Sequence, residues 1–310
     1  MVEEARLGLP ARLWIYQAER LPLARTATLL AFFTASSINV SAALAGVPRP
    51  GLAAYLVAFL GAFVFFAQLR ACDEIKDAED DARWRPERPI PRGLVSLSTI
   101  VAIGAALSLV SIAAALAYWP PLLWPMALVW AWMALMTAEF FVPAWLKARP
   151  LAYLVSHMLI MPLIDLFVTA CEWLPRASAP AAGLWVFLLL SFVNGCILEI
   201  GRKIYAPESE RPGVETYSRE WGLERALAVW SACLNVSALL LVLVGWLLGA
   251  VGPVAIVTAV ALYFALGSAR AMARDKDAAA QKRLDLVAGL WVAFCYLTAG
   301  LTPLMMGWLR

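Results

Sequence analysis

"GLVSLSTIVAIGAALSLVSIAAALAYWPPLLWPMALVWAWMALMTA", from Gly93 to Ala138, contains no Asp, Glu, Lys or Arg. It is more than twice the roughly 20 apolar residues that a helix needs to cross the hydrocarbon of a bilayer. Pro120 and Pro121 break it near the middle. It therefore reads as two membrane-crossing helices. The same pattern recurs on either side. Between Thr26 and Gln68 the only charge is Arg49, and there is none from Ala226 to Ala269 or from Leu286 to Leu309. Charged residues make up 15% of the chain and hydrophobic ones 63%, whereas a soluble domain averages about a quarter charged.

Nine spans are expected, near 26–47, 51–70, 94–118, 121–141, 150–170, 180–199, 225–248, 253–271 and 286–308. Inside a bilayer every backbone polar group must be satisfied locally, which leaves helices or a closed barrel. Runs of this length and continuous apolarity specify helices. The fold class is all-α, a polytopic bundle of nine transmembrane helices around a central cavity. Residues 1–310 form one membrane domain, with 1–25 as an N-terminal interfacial segment. Around "LWIY" that segment carries Glu3, Glu4, Arg6, Arg12, Glu19, Arg20 and Arg25, the composition of a helix lying at the membrane surface.

Of the 25 Lys and Arg, only Arg49, Arg176 and Arg310 fall on the odd-numbered connections and the C-terminal end. The other 22 lie on the opposite face, which the positive-inside bias assigns to the cytoplasm together with the N-terminus. The chain is expected in the cell (inner) membrane, surrounded by lipid. Its net charge of +3 suits anionic lipid or a phosphate substrate. Nothing points to nucleic acid or to an obligate protein partner. The five cysteines have no metal-type spacing and read as small packing residues.

Two connections on the charged face are long and chemically dense: Arg70–Arg92 after span 2 and Glu199–Arg225 after span 6. The first, extended by Gly93, is "RACDEIKDAEDDARWRPERPIPRG", with seven acidic and six basic residues. Asp73, Asp77 and Asp81 recur every four residues, so on a continuing helix they lie on one face, a turn apart. Like charges at that spacing repel, and a divalent cation removes the penalty. Mg²⁺ is typically held by one or two carboxylates together with substrate phosphate oxygens. Arg70, Lys76, Arg83, Arg85, Arg88 and Arg92 flank the row. Carboxylates for metal beside guanidinium groups for phosphate match a diphosphate site. A solvated loop of mixed charge is the plainer reading of the same residues.

The stretch resembles the first aspartate-rich signature of the UbiA superfamily of intramembrane prenyltransferases, Arg-x-x-Asn-Asp-x-x-Asp-x-x-x-Asp followed by Arg-Pro and a Gly. Asp73 stands at the Asn position, Glu74 at the next Asp, Asp77 and Asp81 at the other two, and Arg88-Pro89 and Gly93 match the tail. Nine helices and a second charged loop after helix 6 also match that family's plan. The resemblance implies Mg²⁺-dependent transfer of an isoprenyl group from a prenyl diphosphate to an aromatic or other lipophilic acceptor. It implies Asp73, Glu74, Asp77, Asp81 and Glu199 as metal ligands and catalytic carboxylates, and Arg70, Lys76, Arg88, Lys147, Arg202 and Lys203 as diphosphate contacts. The family's second carboxylate pair is spaced Asp-x-x-x-Asp. Here Glu199 fills the first place, but Lys203 fills the second. Either Lys203 neutralises Glu199, or it meets a phosphate while Glu199 holds metal; Glu208 and Glu210 stand near enough in sequence to supply a ligand instead. "FFVPAWLKARP" after span 4 resembles the family's aromatic, Pro and paired basic segment, which places Lys147, then Arg149, against the diphosphate.

Within the spans, His157 and Asp165 stand out, with Pro162 between them. An ionisable residue in a span faces the bundle interior and marks function by default, while a hydrogen-bonded core role is the alternative for His157. Asn39, Asn194 and Asn235 read as interhelical hydrogen-bond partners. An intramembrane terpene cyclase of the same superfamily is a second reading. A lipid transporter is a third, and it would place charges at mid-membrane rather than at one face.

Overall fold

The protein is described here by a computed structural model covering residues 7–307. Glu3, Glu4, Arg6 and Arg310 lie outside the described residues. Among the described residues there is no strand. The helices are α1 (Leu9–Arg20), α2 (Leu23–Leu44), α3 (Leu52–Lys76), α4 (Ala78–Trp84), α5 (Leu97–Tyr118), α6 (Leu123–Thr137), α7 (Pro143–Lys147), α8 (Pro150–Met158), α9 (Ile160–Trp173), α10 (Leu184–Arg202), α11 (Tyr217–Trp221), α12 (Leu223–Leu247), α13 (Val251–Asp275) and α14 (Ala278–Met305). Among the described residues nine segments are long and apolar enough to cross a membrane: α2, α3, α5, α6 with the turn before it, α8 with α9, α10, α12, α13 and α14. All nine expected spans are present, and the double proline at 120–121 makes the short 3₁₀ turn that joins two of them.

Two departures have local causes. The last helix starts at Ala278 rather than near 286, because Asp277 caps it by accepting from the Ala280 amide at 2.8 Å. Its first turns carry Lys282, Arg283 and Asp285 ahead of the uncharged run. Span 5 is two helices. Pro162 has no N–H to offer the Met158 carbonyl, and the chain breaks between Met158 and Ile160.

α2, α9, α10 and α14 pack on one another as the inner group, with α3, α5 and α6 on one flank and α12 and α13 on the other. α2 and α14 approach closely at Gly300, where a Cβ would stand 2.4 Å from the Ser36 Cα. Helix association in lipid rests on packing of this kind and on interhelical hydrogen bonds, and the inner group has both. Asp165, fully buried on α9, accepts from Ser37 Oγ of α2 at 2.6 Å and from the Tyr296 hydroxyl of α14 at 2.7 Å; that hydroxyl is also 2.9 Å from Ser191 Oγ of α10. Two turns further along α9, Glu172 accepts from Ser41 and is closed by Arg176 at 2.6 Å. Asp165 thus ties four helices together.

Candidate active site

The Asp row is built by one helix handing over to another. α3 ends at Lys76, Asp77 has φ −90° and ψ 5°, and α4 begins at Ala78. The hydrogen-bond ladder nevertheless runs through the joint. The amides of Asp77, Asp81 and Arg85 bond to the carbonyls of Asp73, Asp77 and Asp81 at 2.8–2.9 Å. The three carboxylates therefore follow one another a turn apart, as their spacing requires.

Their partners differ. Asp73 receives Arg70 at 2.6 Å. Asp81 is buried and held by Arg85 at 3.1 Å and by Arg88. Asp77 has no ion-pair partner among the described residues. Burial raises its carboxyl above the ordinary carboxylate range and the charges of Asp73 and Asp81 raise it further, with Lys76 and Arg88 opposing. A half-buried carboxylate between two others is what an added cation relieves most.

The second loop reaches the same place. Glu199, at the end of α10, is clasped by Arg202 at 2.6 Å and Lys203 at 2.9 Å. Tyr153 of α8 joins the two loops: its hydroxyl accepts from Lys76 Nζ at 2.5 Å, and Lys203 Nζ lies 6.0 Å from its ring centre. The charge of Asp73 reaches Arg202 across the gap. A cavity of about 50 Å³ opens here, lined by Lys147, Tyr153, Lys203, Glu215, Thr216 and Tyr217. The loops also touch further out. Gly213, at φ +74°, lies against the Trp84 ring so closely that a Cβ would come within 2.5 Å of it.

The structure therefore brings together Asp73, Asp77, Asp81, Arg70, Lys76, Arg88, Lys147, Arg202 and Lys203. It does not bring in Glu74. One residue past Asp73 on a helix is a turn of about 100°, and that carries Glu74 off the face of the row. There it is buried, paired with Arg20 of α1 at 2.6 Å and reached by the Tyr16 hydroxyl at 3.5 Å. In this structure Glu74, expected as a metal ligand, holds the N-terminal helix through Arg20 and Tyr16. Glu199, expected as a metal ligand, has both oxygens occupied by cations. Glu208 and Glu210 supply nothing to the row either: Glu208 accepts from the Ala278 amide, and Glu210 accepts from Thr216 and Ser218. Arg149 turns to stack on Trp145, 4.5 Å from its ring. Tyr153 and Tyr217 carry no local sequence signal, since their partners come from helices far away in the chain.

Among the described residues no three carboxylate, His or Cys side chains converge into a complete metal cage. Mg²⁺ does not require one, because it takes one or two carboxylates and fills its shell with phosphate oxygens and water. Asp73, with a side chain 40% exposed, and the unpaired Asp77 fit that donor set.

A sequence profile of the UbiA prenyltransferase family matches residues 29–298. The chain belongs to that family. Comparison with curated proteins gives no match. Among solved structures, the chain is similar to digeranylgeranylglyceryl phosphate synthase, at 14% identity and a TM-score of 0.61, covering 94% of this chain and 99% of that one. It is similar to an apo UbiA homologue from Aeropyrum pernix K1, at 17% identity and a TM-score of 0.63 over 86% and 96%. It is also similar to a UbiA homologue from Archaeoglobus fulgidus bound to DMAPP and Mg²⁺, at 14% identity and a TM-score of 0.57 over 90% and 98%. As in those UbiA structures, the fold is a polytopic helical membrane bundle. The aspartate-rich stretch and the loop after α10 both fall within the matched residues.

Proposed function

We propose that this UbiA-family chain transfers an isoprenyl group from a prenyl diphosphate to a lipophilic acceptor inside the membrane. The observation that carries the reading is Asp77: a partly buried carboxylate without a cation, between two others, facing a cluster of Lys and Arg. Solved relatives bound to DMAPP or GPP with Mg²⁺ support the choice of ligand.

Asp73 and Asp77 would hold Mg²⁺, with Asp81 fixing the loop through Arg85 and Arg88. Bound there, the ion supplies charge neutralisation of the leaving diphosphate. Lys147 and Lys203 line the cavity, Lys76 is bonded to the Tyr153 hydroxyl at its wall, and together they draw in the phosphate oxygens, with Arg70, Arg88 and Arg202 behind them. A diphosphate outcompetes the carboxylates that occupy these guanidiniums, since it offers more oxygens for charge-assisted contacts. Glu199 keeps Arg202 and Lys203 aimed at the cavity. The apolar bundle beneath accepts the hydrocarbon tail and excludes water from the allylic cation. The charge bias supports a cytoplasmic N-terminus and opening in a cell membrane.

The test is incubation of membranes containing the protein with labelled prenyl diphosphates of several lengths, with Mg²⁺ or excess chelator. Metal-dependent conversion of at least one donor into a lipophilic product is expected. No conversion of any donor under either condition would sink the proposal.

A further inference from the structure

Three of the carboxylates expected to hold metal are already committed to cations of this chain. Glu74 is taken by Arg20. Asp81 has Arg85 on Oδ1 and Arg88 on Oδ2, and Glu199 has Lys203 on Oε1 and Arg202 on Oε2. Asp81 and Glu199 are buried, and removing the partners of a buried charge is strongly destabilising. A diphosphate that draws on Arg88 and Arg202 still leaves Arg85 on Asp81 and Lys203 on Glu199. Two donors remain, both on the α3 side of the cavity. Asp73 gives only Oδ2 to Arg70, and Asp77 has no ion pair among the described residues.

The α10 side carries a fixed cation where a free carboxylate would be needed for a second ion. Lys203 Nζ lies 2.9 Å from Glu199 and 6.0 and 5.9 Å from the ring centres of Tyr153 and Tyr217, within reach of a cation–π contact. The Tyr217 amide donates to the Lys203 carbonyl at 2.9 Å, which pins the end of α10. The Lys203 side chain lines the cavity and is 31% exposed, so the ammonium is open to a ligand. It has three N–H donors. With one spent on Glu199, two remain for phosphate oxygens. Glu215 and Glu220 also line the cavity, but both are exposed to solvent, and among the described residues no three acidic, His or Cys side chains gather. A divalent ion on this side would stand against Lys203 and Arg202 without a free carboxylate beside it, and like charges in a partly buried site repel strongly.

We propose that the site takes a single divalent cation, on Asp73 and Asp77, and that the Lys203 ammonium supplies the positive charge a second ion would bring on the α10 side. The inference rests on the prenyl diphosphate reading above, and adds to it the number of ions and the residue that sets that number. Two carboxylates with phosphate oxygens and water make a full set of ligands for one Mg²⁺. The ammonium is part of the chain and needs no ion from solution. Below saturation, diphosphate binding therefore rises with the first power of the metal concentration.

The test uses the full-length protein in nanodiscs, with Mn²⁺ in place of Mg²⁺ and the unreactive dimethylallyl, geranyl and geranylgeranyl S-thiolodiphosphates. Equilibrium dialysis against empty nanodiscs counts the Mn²⁺ and analogue bound per protein. Electron paramagnetic resonance tells an isolated Mn²⁺ from a spin-coupled pair. Expected for the wild type is one Mn²⁺ per bound analogue, with the isolated-ion spectrum. Two Mn²⁺ per analogue would overturn the proposal, and this count stands whatever a substitution does to folding. Lys203→Met keeps the length of the side chain and loses its charge. It is expected to hold one Mn²⁺ and to bind the analogue about tenfold to a hundredfold more weakly, as for loss of a charge-assisted contact. Wild-type affinity in that variant overturns the role of the ammonium. Lys203→Asp puts a second carboxylate one turn from Glu199 and is expected to hold two Mn²⁺ with a coupled spectrum. A count of one there overturns the claim that Lys203 sets the number of ions. Absence of Mn²⁺-dependent binding of every analogue to the wild type would instead sink the prenyl diphosphate reading itself.

Discussion

Asp77→Asn is expected to slow prenyl diphosphate ionisation by roughly 10²–10³-fold, the usual cost of deleting one preorganised electrostatic contact to developing charge, without lowering the thermal midpoint. The two halves of this expectation come from the same geometry. Among the described residues Asp77 has no ion-pair partner to lose, and it stands between Asp73 and Asp81, whose charges oppose its ionisation. Neutralising it relieves repulsion in the empty protein while removing a ligand that the loaded protein needs. Asp80→Asn, one residue from Asp81 but exposed and off the row, serves as the control and should stay within about twofold of wild type. A purely structural row would give the reverse pattern, with stability changed and ionisation intact. The comparison requires ionisation rates and melting curves on the same three preparations.

Lys203→Ala is expected to weaken prenyl diphosphate binding by tenfold to a hundredfold, equivalent to a charge-assisted contact of about 1.5–3 kcal/mol. Lys203 lines the cavity and is steadied by Glu199 at 2.9 Å and by the Tyr153 and Tyr217 rings. Glu199→Gln separates the two roles open to that carboxylate. As an anchor for cations, its loss should weaken donor binding less than Lys203→Ala does, and leave the Mg²⁺ concentration for half-maximal activity unchanged. A metal ligand would shift that concentration upward. Titrating Mg²⁺ against activity for wild type and both variants distinguishes them.

The membrane architecture was legible because its signal is local. Each crossing is a run of apolar residues of bilayer length, and the breaks fall at Pro120–Pro121, at charged loops or at glycine. The Asp row was legible for a similar reason: a spacing of four is a statement about one helix, and it survived even the joint at Asp77. What escaped depends on contacts between distant segments. Glu74 reads as a ligand until α1, more than 50 positions earlier, places Arg20 and Tyr16 against it. Glu199 and Lys203 sit at the favourable i, i+4 spacing for an ion pair, but sequence alone did not show that Arg202 takes the other carboxylate oxygen as well. Tyr153 and His157 are single polar residues in an apolar span. Neither shows in sequence what it meets: Tyr153 binds Lys76, 77 residues away, and His157 stacks on Tyr153. Asp165 stood out as an intramembrane carboxylate, but its partners Ser37, Ser191 and Tyr296 come from three other helices and resemble ordinary helix residues in the sequence.

The most direct measurement of the central claim, that the charged face is a Mg²⁺–diphosphate site, is equilibrium binding of an unreactive prenyl thiolodiphosphate to the purified wild type, with Mg²⁺ and with excess chelator. The expected result is saturable binding that weakens about a hundredfold or more when the metal is removed, and that falls by a similar factor in Asp77→Asn with Mg²⁺ present. Binding of equal strength with and without metal, or none in either condition, would contradict it.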